Sequence, residues 1–281
     1  MILPRLAAVG LLLLPPSLLA STVEAAAAPM APSTQEEGKK KDRDEDEGQR
    51  AKRDAEAKAA AEAIRKGLSA QEVNARRAAL LESSEIVHPT VIAEVAKALG
   101  DESVEVRRTA IEVLGLMRHG DARKALEGYA RKEKRALAKD VETSVALYRS
   151  IGRQRSASSV KALLKRALEE ESYEVRRARV WAAAYQRSPE ALEGILYAMK
   201  KSDTRRLRGR MRELRPALVH LTGTDQGADP ARWLAWWSEN RKTFEVPTEP
   251  PKIPGDMGTQ WRRFWGEERQ YERRKKRGDR G

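Results

Sequence analysis

Cysteine is absent from the 281 residues. That absence removes disulfides, thiolate nucleophiles, cysteine-bound zinc and the attachment residue of a lipid-anchored lipoprotein, so stability must come from packing. Histidine is nearly absent too: His88, His119 and His220 are scattered along the chain. No His-x-x-x-His spacing, Gly-x-Ser-x-Gly elbow or phosphate-binding glycine loop occurs. The acidic run Glu169-Glu170-Glu171 reads as a solvated helix end, not an acid–base pair. The residues therefore point to no catalytic group, no cofactor and no metal, and no small-molecule substrate is expected. Aromatic residues make up 5% of the chain, too few for a thick aromatic core. No stretch alternates apolar and polar residues between turn signals, so no sheet is expected.

What the chain has is charge and small aliphatic residues. Charged residues make up 35%, and the net charge is +13. Ala, Leu, Glu, Lys and Arg favour long helices that meet through small side chains. At the start, Arg5 precedes an apolar run from Leu6 to Leu19, followed by the small residues Ala25 to Ala28. This reads as a cleaved signal peptide over residues 1–27, and hence export to a periplasmic or extracellular location. The rival, a membrane anchor, would need a run of about 20 apolar residues, longer than this one. Residues 28–66 form a charged linker. Its first half is too polar to offset its ordering entropy and is expected to be disordered, while Gln49 to Lys66 fits a solvated helix ended by Gly67.

From Leu68 the pattern changes to helices separated by short breaks. Ser69 and Glu72 fit a capping box with Leu68 and Val73 as its staple. Pro89 fits a first helical position, Gly100 an ending before an Asp101 cap, and Gly120-Asp121 repeats that punctuation. Ser188-Pro189 is again a cap followed by proline. Three helices open alike, with Ala75-Arg76-Arg77, Val106-Arg107-Arg108 and Val175-Arg176-Arg177, and a helix near Val141 to Ile151 aligns between the last two. The aligned positions 75, 106, 143 and 175 recur at the period of a stacked helix pair, which cannot bury its apolar stripe alone.

The segment Leu99-Gly100-Asp101-Glu102-Ser103-Val104-Glu105-Val106-Arg107-Arg108-Thr109-Ala110-Ile111-Glu112-Val113-Leu114-Gly115 resembles a HEAT-like repeat, with its Gly-Asp turn, Val-Arg-Arg start and Leu-Gly end. The resemblance extends over about Leu68 to Gly223. It implies an all-α fold, a right-handed α-solenoid of stacked helix pairs of the armadillo type, which usually binds other proteins in its concave face. It implies no reaction. Leu221 to Pro230, followed by Trp233, Trp236 and Trp237, is similar to the end of many exported bacterial HEAT-like proteins. Asp229 would cap the tryptophan-bearing helix, which would close the stack. The expected organisation is then a repeat domain with its cap at 67–245, a proline-rich linker at 246–260 and a basic tail at 261–281.

Three groups of residues are candidates for partner binding. Arg76, Arg107 and Arg176 could line a groove for an anionic partner, or could bridge to acids of a neighbouring turn such as Asp101 and serve the repeat's geometry. Trp261 and Trp265 lie four apart, so they either dock back onto the solenoid or present a sticky amphipathic tail. The run Arg273, Arg274, Lys275, Lys276, Arg277 attracts polyanions or only solvates the tail. Asp225, Gly227 and Asp229 lack the acids of a calcium loop and read as a capped turn. The expected function is a non-catalytic scaffold that holds a protein or peptide partner in its groove. The alternative is a module for polyanions: an anionic envelope polymer, phospholipid headgroups at a membrane surface, or nucleic acid.

Overall fold

The computed structural model describes residues 34–267. The expected signal peptide at 1–27 and the basic run Arg273 to Arg277 lie outside them. The chain divides into two units, Met1–Gln49 and Arg50–Gly281, and the second holds the repeat helices. Every regular element among the described residues is helical, and none of those helices is long and apolar enough to cross a membrane.

In chain order the helices are α1 (Thr34–Leu68), α2 (Val73–Glu82), α3 (Pro89–Lys97), α4 (Val104–Leu116), α5 (Gly120–Lys132), α6 (Lys134–Leu137) and α7 (Val141–Arg153). They continue with α8 (Val160–Leu164), α9 (Tyr173–Ala184), α10 (Pro189–Lys201), α11 (Thr204–Thr222), α12 (Pro230–Asn240) and α13 (Gly255–Trp265). Two layers result. The second helices of the pairs, α2, α4, α7, α9 and α11, pack side by side in sequence order, and α3, α5, α8 and α10 with α12 form the other layer. The core lies between the layers: Leu80, Ile92, Ile111, Leu114, Leu126, Leu147, Leu163, Trp181 and Leu192 are all fully buried.

The spacing of the second helices is tight because small residues stand at the contacts. A Cβ on Gly115 would lie 2.9 Å from the Cα of Ser150, and one on Gly152 would lie 3.0 Å from the Cα of Ala182. The Leu114-Gly115 and Ile151-Gly152 pairs that mark the repeat in sequence are thus the points where one second helix meets the next. Buried amides bridge the same joints, with Gln154 Nε2 donating to Leu114 O at 2.8 Å and Gln186 Nε2 to Gly152 O at 3.2 Å.

Several local expectations are corrected. The segment Gln49 to Lys66 is helical but not solvated on all sides: Ala57, Ala61 and Ile64 form a buried stripe with the spacing of one helix face, so α1 supplies the first layer for α2. The helix ends at Leu68, one residue past Gly67, and a Cβ on Gly67 would come within 2.3 Å of Ala79 Cβ, so the glycine also serves close approach. The Ser69–Glu72 capping box does not form. Glu72 sits at the cap position without a side-chain bond, and Ser69 Oγ turns back to Lys66 O at 2.7 Å. Asp101 is not the cap of α4 either. Ser103 is, and Asp101 holds the loop by accepting from Ser103 N at 2.8 Å. Gly120-Asp121 is the first turn of α5, capped by His119. The caps at His88–Pro89, Ser188–Pro189 and Asp229–Pro230 stand where a short acceptor before proline would put them.

Candidate functional site

The paired arginines show how the second-helix face is built. Arg76 Nη1 donates to the carbonyls of Ala70 and Gln71, Arg107 Nη1 to those of Asp101 and Glu102, and Arg176 Nη1 to those of Glu170 and Glu171. In all three the acceptors lie six and five residues upstream, so each arginine folds its own inter-helix loop onto the start of the second helix. Arg76 also pairs with Asp101 at 3.1 Å, and Arg176 with the fully buried Glu213. The guanidinium groups expected either to meet a partner or to serve the repeat are occupied in the second way. Where the aligned copy has Ser144 in place of arginine, its hydroxyl holds the loop instead, through Leu137 O at 2.7 Å.

The second arginine of each pair reaches forward. Arg77 Nε donates to Thr109 Oγ1 at 3.1 Å and Arg108 Nε to Thr143 Oγ1 at 3.4 Å, each in the next second helix. Arg177 faces rings instead, with its guanidinium carbon 5.3 Å from Trp181 and 5.8 Å from Phe264. This change marks a difference along the face. In its early part the surface is polar, and Leu81 and Leu116 are 52% and 54% exposed. In its later part α13 lies against it.

Trp261, Phe264 and Trp265 of α13 are buried. They occur at positions i, i+3 and i+4 and so share one side of the helix. Trp181 meets Trp261 at 5.0 Å and the edge of Phe264 at 5.2 Å, Tyr185 stacks on Trp265 at 3.9 Å, and His220 lies 4.4 Å from Trp261. The Trp265 ring also comes within 2.7 Å of where a Gly152 Cβ would stand, so the glycine that spaces α7 from α9 also makes room for this ring. Of the two arrangements open to Trp261 and Trp265, docking onto the repeats is the one observed.

The chain between α12 and α13 is strapped down by Arg187, whose guanidinium donates to the carbonyls of Pro247 and, at 2.9 Å, Glu249, and to His220 O at 3.0 Å. Trp233 is fully buried, with its indole N–H on Gly227 O at 2.9 Å, and the half-buried Trp236 meets Phe244 edge-on at 5.1 Å. Asp225 is taken by Arg215, whose Nη2 lies 2.5 Å from Oδ2, and the guanidinium holds that carboxyl below its usual range. Asp229 accepts from Ala231 N at 3.0 Å, so the loop is a braced turn.

The histidines have structural addresses. His88 and His119 each cap a first-layer helix through Nδ1, at 3.3 and 3.2 Å from the backbone nitrogen two residues on. They fall at the same position of successive repeats, which Ser188 fills later. His220 is buried, and burial beside Arg187 and Arg155 pushes its pKa down to about 3. Phe264, Tyr185 and Trp181, which complete the α13 contact, were not singled out from the sequence. The available signal was the Trp-x-x-Phe-Trp side of a helix following a repeat array short of aromatics.

A cavity of about 950 Å³ opens where the first-layer helix of the fourth pair is broken into α8 and two 3₁₀ turns, between Leu164, Tyr197 and Arg210. Its wall mixes apolar side chains with Lys161, Lys165, Arg166, Lys201, Arg206 and Arg210 against Glu169, Glu190 and Asp203, so cations outnumber carboxylates there.

No curated protein matches the chain. Residues 61–145 match the family model for HEAT repeats, a stretch that runs from the buried end of α1 into the start of α7 and holds the second helices α2 and α4 whole. Residues 61–145, with the loop-clasping Arg76 and Arg107 and the close-approach glycine Gly115, therefore carry HEAT-like repeats.

Proposed function

We propose that this protein is a non-catalytic interaction scaffold that receives an amphipathic helix of a protein partner on the open part of its second-helix face. HEAT repeats are in general protein-interaction modules and typically non-catalytic. The observation that supports the more specific reading is positional. Leu81 and Leu116, exposed on α2 and α4, stand at the repeat positions that Trp181 and Tyr185 hold on α9, and those two rings are what α13 docks on. The protein thus carries an example of the ligand its own face accepts. Grooves of this kind read a helix by apolar anchors three and four residues apart. The basic N-terminal start and apolar run Leu6 to Leu19 support export, so the partner is sought outside the cytoplasm.

The test is affinity capture from the envelope fraction with the wild-type chain and with a Leu81→Glu, Leu116→Glu variant. A partner recovered by the wild type, retained at moderate salt and lost by the variant is the expected result. Recovery that is absent, or equal for both chains, sinks the reading.

A polyanion-binding role has one observation of its own. Helix α11 exposes Arg205, Arg206 and Arg208, and none of the three makes an ion pair among the described residues. Together with the basic tail they would attract an anionic polymer. Binding of that kind falls steeply as ionic strength rises, whereas apolar anchoring does not.

A further inference from the structure

Arg155 and Arg187 hold the same place in successive repeats, each after a buried glutamine and before the serine that leads into the next first-layer helix. Both adopt left-handed backbone, with φ of 48° and 50°. Arginine gains nothing from that region by itself, and strained backbone concentrates where a site is held in place. Both residues line a cavity of about 300 Å³, roofed by the Pro250-to-Ile253 strap and by α13 at Gly258 and Trp261.

Among the described residues, Arg155, Arg187, Lys252 and Arg262 line this cavity against one carboxylate, Glu267, which accepts from Tyr185 OH at 3.4 Å. Arg187 directs its donors to carbonyls and contributes its charge. Arg155 is exposed and uses one nitrogen on Tyr185 OH at 3.2 Å. Lys252 is exposed as well. His220 also lines the cavity, 4% exposed between the rings of Tyr185 and Trp261, and its Nε2 is buried without a hydrogen-bond partner. Buried polar groups in native folds are nearly always paired, and one that is not needs an explanation, of which a bound ion is one.

We propose that this cavity binds a phosphate monoester group, with Arg155 and Lys252 closing on it from the mouth and the His220 ring in the wall beneath. A tetrahedral dianion offers acceptors to several donors at once, and it offsets the cations that line the cavity. The depressed basicity of His220 fits the same field, because burial and the two arginines disfavour a further cation there until an anion arrives. Since the strap and α13 form the roof, the ligand would also fasten them to the repeats. This site is separate from the open face of α2 and α4 and does not depend on the partner proposed for it.

The experiment follows the ring resonances of His220 in the full chain, with His88 and His119 as internal references. Inorganic phosphate is titrated in one arm, and phosphatidylcholine vesicles with or without phosphatidic acid in the other. Movement of His220 alone with inorganic phosphate assigns a soluble phosphoester. Movement only with phosphatidic acid assigns a lipid headgroup. Arg155→Gly removes the cation while relaxing the left-handed backbone, so a loss of affinity of about tenfold or more in that variant, with an unchanged or higher melting temperature, supports the site. A Lys252→Gln change is expected to act in the same direction. His220 unmoved in both arms, or moved equally in the Arg155→Gly, Lys252→Gln double variant, overturns the proposal.

Discussion

Leu81 and Trp181 occupy the same position of their repeats, yet Leu81 is 52% exposed and Trp181 is fully buried. The early repeats follow the family pattern closely. Arginines clasp the loops, a second arginine reaches a threonine in the next helix, and the face they border is open. The later repeats keep the clasp in Arg176 but exchange the polar face for rings, and the chain's own C-terminal helix covers them. The difference teaches that one backbone plan can present either a finished surface or an unfinished one. Which of the two results depends on a few side chains at fixed repeat positions.

The largest expected effect comes from the covered half. Trp181→Ala removes a fully buried ring that joins α9 to α13 and bonds Glu213 O through its indole at 2.8 Å, and it should lose about 3–5 kcal/mol. Urea unfolding checks the value, and hydrogen exchange should show α13 released while α2 and α4 stay protected. If protection fell equally in both halves, the contrast drawn between them would fail.

Next comes the clasp. Arg76→Met strands two loop carbonyls and Asp101, and a loss of about 2–3 kcal/mol is expected. Arg107→Met, at a half-buried site where the clasp itself has no carboxylate partner, should lose about 1 kcal/mol. Equal losses would show that the carboxylate adds nothing to the clasp.

Acid should act unevenly as well. His220 has a folded-state pKa of about 3 against an ordinary 6.5, so below 6.5 the unfolded chain binds the proton that the folded chain refuses. Stability contributed by the neutral ring is complete above pH 6.5. It declines as pH falls towards 3 by roughly 1.4 kcal/mol for each unit. Hydrogen exchange between pH 6.5 and 4 should therefore find α11 and α13 opening before α3 and α4, and a His220→Gln variant should flatten that difference. The smallest stability effect belongs to the open face. Leu81→Glu and Leu116→Glu should each shift stability by no more than about 0.5 kcal/mol, so any binding they abolish is a property of the surface.

Much of the architecture is legible in the residues. The Val-Arg-Arg openings and Leu-Gly endings mark the second helices, and the Ser-Pro and Asp-Pro pairs mark helix starts. Less legible were the exact caps, because Ser69, Asp101 and Gly120 each fit two roles in sequence and only their neighbours choose between them. The stripe Ala57, Ala61, Ile64 was hidden by its charged surroundings. It becomes an interior face only when α2 and α3 stand beside it. The aromatic contact of α13 was visible as a pattern but not as a destination.

By itself the sequence determined the helical period, the breaks between helices and the lack of cysteine chemistry, because those depend on composition or on residues near one another in the chain. Tertiary structure decided that Arg76, Arg107 and Arg176 are engaged by loop carbonyls, that Trp261 and Trp265 lie on the repeats, and that His220 meets Arg155 and Lys252 around one cavity. Each of these joins residues whose separation in sequence carries no local signal, and the competition for burial and for hydrogen bonds settles it only once the helices are stacked.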